Sequence, residues 1–176
     1  MRLGQAMLEP GRSKSITTST RMRRDVKIRP AELRDPDPLA LLRAALWPES
    51  SASEHAAETR PLLDGTSGLP LPLTIFVAEA PDGRLIGFVE VDLRSHADGC
   101  DPAQPVGFLE GWFVAEDFRQ LGIGGGLVAI AEEWARAQGC VEIASDTWID
   151  SAVSQSAHEA LGYEVVDRCV HYRKAL

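Results

Sequence analysis

The sequence predicts an α+β protein built on a central mixed, mostly antiparallel β-sheet flanked by helices. Three observations carry this. Two apolar stretches, residues 73–80 and 84–93, are separated by Pro81-Asp82-Gly83 and read as a hairpin. A third apolar run, residues 106–114, leads into a glycine-rich turn and then a long helical pattern. A regular strand–helix alternation, which would give a doubly wound parallel sheet, is missing.

Taken in order, residues 1–24 are rich in Ser, Thr and Arg without periodicity, and are expected to form a disordered extension. Residues 25–176 are expected to form one domain. Within it, residues 26–30 alternate like a short strand. Asp35-Pro36-Asp37-Pro38 offers helix-start chemistry for a helix carrying Leu39, Leu42, Ala45 and Leu46, which stops at Trp47-Pro48. A second helix is expected over residues 53–63, with Glu54 and Glu58 on its exposed face, and residues 66–72 form a Gly/Pro loop. The hairpin follows, then a polar loop over 95–105 and the strand 106–114. After the glycine turn, Leu127, Val128, Ile130, Ala131, Trp134 and Ala135 recur at helical spacing until Gly139. Residues 140–146 read as a strand and 152–161 as a short helix ended by Gly162. Residues 163–172 read as a last strand or pair of strands.

Composition narrows the function. With 176 residues, 44% apolar and 25% charged, the chain has the make-up of one ordinary globular domain, and no apolar run reaches the ~20 residues of a membrane span. Residues 1–24 hold six of the 18 basic residues and one of the 26 acidic ones, which leaves the remainder formally −13. Such a field repels nucleic acid and attracts cations. Cys100, Cys140 and Cys169 are odd in number and widely spaced, which argues against a disulfide framework or a zinc site and places the chain in a reducing cytoplasm.

The stretch Phe118 to Val128 sits between strand and helix, where the first N–H groups of a helix lack partners and favour an anion such as a pyrophosphate. A P-loop would need a Lys after its glycines, and a dinucleotide fingerprint counted from Gly122 would need Gly where Leu127 stands. Both are absent. What fits is Arg119-x-x-Gly122-x-Gly124, which resembles the acetyl-CoA loop of the GCN5-related N-acetyltransferases.

Four further pieces extend the resemblance over residues 25–176: Leu46-Trp47-Pro48, Phe108 through Val114, Ala144-Ser145-Asp146-Thr147, and His158 through Tyr163, with Tyr172-Arg173-Lys174 at the end. Together they are similar to the chromosomal-type aminoglycoside 6'-N-acetyltransferases of that superfamily. The resemblance implies its fold, acetyl-CoA as co-substrate without a metal, a polycationic aminoglycoside as acceptor, and a homodimer. It also implies that the backbone of Trp112, Phe113 and Val114 runs beside the pantetheine arm. Arg119, Gln120, Leu121, Gly122, Ile123, Gly124 and Gly125 would then hold the pyrophosphate, with Ser151 as a further coenzyme contact. Acceptor contacts fall on Trp47, His96, Glu110, Asp146 and Asp167. Two positions depart from the pattern: His96 stands where relatives have an aromatic residue, and Ser151 where they have Asn, so it offers fewer hydrogen bonds.

The reaction itself makes demands. An alkyl amine, with a pKa near ~10, is an ammonium at neutral pH and must lose a proton before it attacks a thioester. Carboxylates near the amine hold a polycation but also stabilise its protonated form. Most of the acids are therefore assigned to binding, with Glu110 and Asp146 as candidate acid–base groups acting through water and His158 as candidate proton donor to the leaving thiolate. A bulge at Glu110-Gly111 is expected to free the Val114 N–H to polarise the thioester carbonyl. Structural alternatives stand beside these roles. Glu110, in an apolar run, is either paired with an Arg or functional. Asp146 can cap a turn, Trp47 can be core, and Asp167 can be a solvated residue. Two other acceptors, a polyamine or a protein N-terminus, fit the same loop, as does a non-catalytic acyl-CoA sensor.

Overall fold

The structure is a computed structural model that describes residues 25–175; the extension expected over residues 1–24 lies outside them. Five strands form one sheet in the order β1 (Lys27–Pro30), β2 (Leu73–Glu79), β3 (Leu85–Arg94), β4 (Val106–Val114) and β5 (Ile143–Ser145). The first three pairings are antiparallel and the last, β4 with β5, is parallel. This is the mixed, mostly antiparallel sheet that the hairpin and the strand–turn–helix order predict.

Helices cover both faces. On one side α1 (Pro36–Leu46) and α2 (Ala52–Asp64) seal Leu39 against Ile75, Val77 and Phe88. On the other, α3 (Ile123–Ala137) presses Ile123, Leu127, Val128 and Ala131 onto Ala78, Val89, Val91 and Leu109. Fully burying each Leu, Ile, Val or Phe among these contributes about 1.5–3 kcal/mol, and alternation over residues 88–91 of β3 is what lets Val89 and Val91 face α3 while Phe88 and Glu90 face α1. The start of α2 is a capping box in which the Glu54 N–H donates to Ser51 Oγ and the Ser51 N–H donates to Glu54 Oε2.

Two expectations need correcting. Asp35 stands at the N-cap of α1 but makes no capping bond: its carboxylate is taken by the buried guanidinium of Arg29, at 2.7 and 3.0 Å, and by the Glu32 N–H at 2.7 Å. Residues 163–172, read as a closing strand, pair with nothing among the described residues. After α4 (Ala152–Ala160) only Tyr163 joins the core, while Val165, Val166, Val170 and Tyr172 are exposed. An apolar pattern becomes a strand only where a neighbouring edge accepts its backbone hydrogen bonds, and β5, with three residues, presents a short one.

Candidate active site

The site starts where β4 loses its neighbour. β5 pairs with Gly107 to Leu109 alone, so Glu110 through Val114 have an open edge on that side. At the same point the β3–β4 register slips: Val91 faces Leu109 but Glu90 faces Gly111, which leaves Glu110 as the extra residue of a bulge. The bulge expected at Glu110-Gly111 is therefore present. Gly111 is required there, because a Cβ would collide with the indole of Trp47, which lies on it from the end of α1.

The glycine loop closes the other end of this edge. Arg119 Nε donates to the Val114 carbonyl at 2.9 Å and ties the loop to the end of β4. Gln120, at φ 60°, and Gly122, at φ 77°, then turn the backbone through left-handed conformations into α3. Such alternation gathers successive N–H groups into an anion-binding concavity, and α3 carries no acidic residue in its first turn to oppose it. A Cβ on Gly124 would come within 2.9 Å of the Trp112 ring, so the helix start lies directly against β4. Loop and open edge fit a long ligand with an anionic diphosphate at one end.

Beside the bulge, charge collects on the face of the sheet that α1 and α2 cover. Glu90, Asp92 and Arg94 follow one another at period two along β3, with Glu110 across from them on β4. Arg94 donates from Nε to Glu110 Oε1 at 3.0 Å and again from its second amino group, while its guanidinium lies 3.3 Å over Phe108 and 3.9 Å from Asp92. Glu90, only 5% exposed, pairs with Arg43 of α1, which also reaches Glu58 and lies 5.0 Å from the Trp47 ring. Burial pushes the Glu90 carboxyl up, against the opposing pull of Arg43. Burial and then the charge of Glu110 raise Asp92 to about 7, and its Oδ1 is buried with no hydrogen-bond partner. Glu110 is thus paired with an Arg and also set at the bulge where the open edge of β4 begins.

The structure brings Trp47, Glu110, Trp112, Phe113, Val114 and the loop residues Arg119 to Gly125 to one edge. His158 sits half-buried on α4 in edge contact with Trp112 and Tyr163, at ring separations of 5.5 Å each. Its Nδ1 lies 2.8 Å from the Ser154 carbonyl and its Nε2 3.0 Å from Ser145 Oγ, so both nitrogens are engaged. His96, Asp146 and Asp167 are exposed and form no hydrogen bond or ion pair with the acidic face. His96 lies 3.7 Å from Asp98, Asp146 stands one residue beyond β5, and Asp167 accepts from the Arg168 N–H. Ser151 precedes α4 without a side-chain cap bond. Sequence reasoning missed Arg43, Glu90, Asp92 and Arg94. The signal available was three charges at period two in an otherwise apolar strand.

An open-edged bulged strand running into a glycine loop is the architecture of a coenzyme A-dependent acyltransferase, and residues 39–163 match the acetyltransferase (GNAT) family. The chain belongs to that family. It is 40% identical over 149 residues to the aminoglycoside N(6')-acetyltransferase type 1 of Klebsiella aerogenes, covering 85% of this chain and 96% of that one. The enzyme of the same name from Serratia marcescens is 44% identical over 136 residues, covering 77% and 89%. Among solved structures, AAC(6')-Iy in complex with the bisubstrate analog CoA-S-monomethyl-acetylneamine superposes with a TM-score of 0.75 at 37% identity, covering 86% of this chain and 99% of that one.

Proposed function

We propose that this protein is an acetyl-CoA-dependent N-acetyltransferase that modifies the 6'-amine of aminoglycosides by direct transfer, and so confers resistance to them. The observation that carries the reading is the acidic face of Glu90, Asp92 and Glu110 beside the open edge of β4 and the glycine loop. A polycationic acceptor is drawn to the carboxylates while the loop holds the diphosphate of the coenzyme. The likeness to enzymes named for 6'-acetylation chooses the acceptor among amines.

In this reading Trp47, packed on Gly111, forms a wall against which an aminoglycoside ring stacks, and Glu110 holds an ammonium at the bulge. The backbone beyond the bulge, up to Val114, polarises the thioester carbonyl. His158, with both nitrogens engaged, mainly orients Trp112 and α4. His96, Asp146 and Asp167 reach the acceptor only from the rim. The exposed apolar segment after Tyr163 favours a homodimer, in which a second copy supplies the neighbour that residues 163–172 lack. Three free cysteines suit the cytoplasm.

The test is thiol release from acetyl-CoA with purified protein, comparing kanamycin-type aminoglycosides that bear a 6'-amine with analogues carrying a 6'-hydroxyl, and with spermidine. Release that requires the 6'-amine is expected. Release with spermidine alone would move the acceptor to polyamines, and coenzyme binding without any release would make the protein a sensor.

A further inference from the structure

The acidic face holds three carboxylates in different states, and the difference selects one of them for proton transfer. Glu90 is closed off, 5% exposed and paired with Arg43, so it has no path to solvent. Glu110 accepts two N–H groups of Arg94 and so is already committed to a cation. Asp92 differs from both. Its nearest cation, Arg94, stands 3.9 Å away, its Oδ1 has no partner, and its side chain is about one-fifth exposed. Asp92 and Glu110 share one guanidinium, that of Arg94, at 3.9 and 3.0 Å, which sets the two carboxyl groups on either side of it.

We propose that Asp92 is the proton acceptor of the reaction, taking the proton of the ammonium that Glu110 holds. The proposal rests on the acetyl-transfer reading above. In the first step an N–H bond of the ammonium breaks, its electron pair stays on nitrogen, and the proton passes to Asp92 directly or through one water. The neutral amine then attacks the thioester carbon: a C–N bond forms, the C–S bond breaks with its electron pair on sulfur, and the remaining extra proton on nitrogen goes to the thiolate. Asp92 returns its proton to solvent through its exposed side, so the cycle releases one proton to water.

The groups that face Asp92 set it for this task. On its own strand stand Glu90 and Arg94, on β4 Glu110 lies two residues beyond the register partner Phe108, and behind Glu90 are the Arg43 of α1 and Glu58 of α2; its β2 partner in register is the apolar Leu73. Burial first, then the charges of Glu110 and Glu90 against the opposing pull of Arg94, bring its pKa to about 7, near the pH at which a general base works best.

The experiment is the pH profile of turnover for wild type, Asp92→Asn and Asp92→Glu with one 6'-amine aminoglycoside at saturating acetyl-CoA. Wild-type turnover should rise through a pKa near 7. Asp92→Asn should lose that limb and about 100-fold in kcat, with the KM for acetyl-CoA unchanged, and Asp92→Glu should regain part of the rate. An Asp92→Asn variant with wild-type kcat and an intact limb overturns the proposal alone, whereas a wild type inert toward every 6'-amine overturns the acetyl-transfer reading as well. Should Asp92→Asn fail to fold, carbon-13 NMR of wild type labelled at aspartate carboxyls decides: a carbon titrating near pH 7 supports the proposal, and all aspartates titrating below about 5 overturns it.

Discussion

Two clusters in this molecule draw on similar inventories, two arginines with three carboxylates in one and with four in the other, and arrange them differently. At β1, Arg29 and Arg34 meet Glu32, Asp35 and Glu79. There Arg29 grips Asp35 with a two-pronged pair and reaches Glu79 as well. Burial pushes the Asp35 carboxyl up, but the bonds from Arg29 and the Glu32 N–H outweigh it and hold it below the usual range. At β3 and β4, Arg43 and Arg94 meet Glu58, Glu90, Asp92 and Glu110, yet burial pushes Glu90 and Asp92 up and one Asp92 oxygen has no partner. The first cluster joins β1, β2 and the entry to α1; the second leaves a carboxylate oxygen without a partner near the open edge of β4. Geometry, not composition, separates a structural ion network from the acidic face proposed to bind the acceptor.

Each cluster can be broken separately. Glu110→Ala is expected to lower acceptor turnover about 100-fold or more while acetyl-CoA affinity and melting temperature stay near wild type, because a half-exposed pair with Arg94 adds little to stability. Equal loss of coenzyme binding by calorimetry would merge what is here kept apart. Arg29→Ala should do the reverse. It strands Asp35, whose side chain is only 4% exposed, and should cost about 3 kcal/mol in denaturant unfolding while the folded fraction turns over normally.

The same contrast appears in pH. The folded pKa of Asp35 lies below its unfolded value, so its contribution to stability is present above pH ~4 and is lost as pH falls through the folded pKa. Asp92 runs the other way: with a folded pKa of about 7, it costs stability as pH rises from about 4 to 7. Asp92→Asn should therefore melt higher than wild type at pH 8, with the advantage gone at pH 4. Smallest of all, His158→Ala should lower turnover only modestly and leave the pH profile unshifted, as suits a ring wedged between Trp112 and Tyr163. A profile that moves with this substitution would return His158 to proton transfer.

The mixed, mostly antiparallel sheet and the place of the glycine turn between a strand and a helix were legible in the sequence because they rest on local signals: Pro81-Asp82-Gly83 between two apolar runs, and glycines between a strand and a helical pattern. Glu110 stood out as a candidate through the four family pieces, and because a carboxylate inside Phe108 to Val114 contradicts its surroundings. Asp92 was not. In a hairpin strand, Glu90-x-Asp92-x-Arg94 reads as the solvent face, and only the packing of α1 and α2 over it, with Arg43 brought in from 47 residues away, turns that face inward. Residues 163–172 misled in the other direction, because alternation records a preference for a partner edge without saying where the edge is.

The most direct measurement is the position of the acetyl group, read by NMR on the product of acetyl-CoA, this protein and a kanamycin-type aminoglycoside. An acetamide on the 6'-nitrogen alone is the result expected of an acidic face that binds the other amines and presents this one. Acetylation at another nitrogen, or on oxygen, would contradict it.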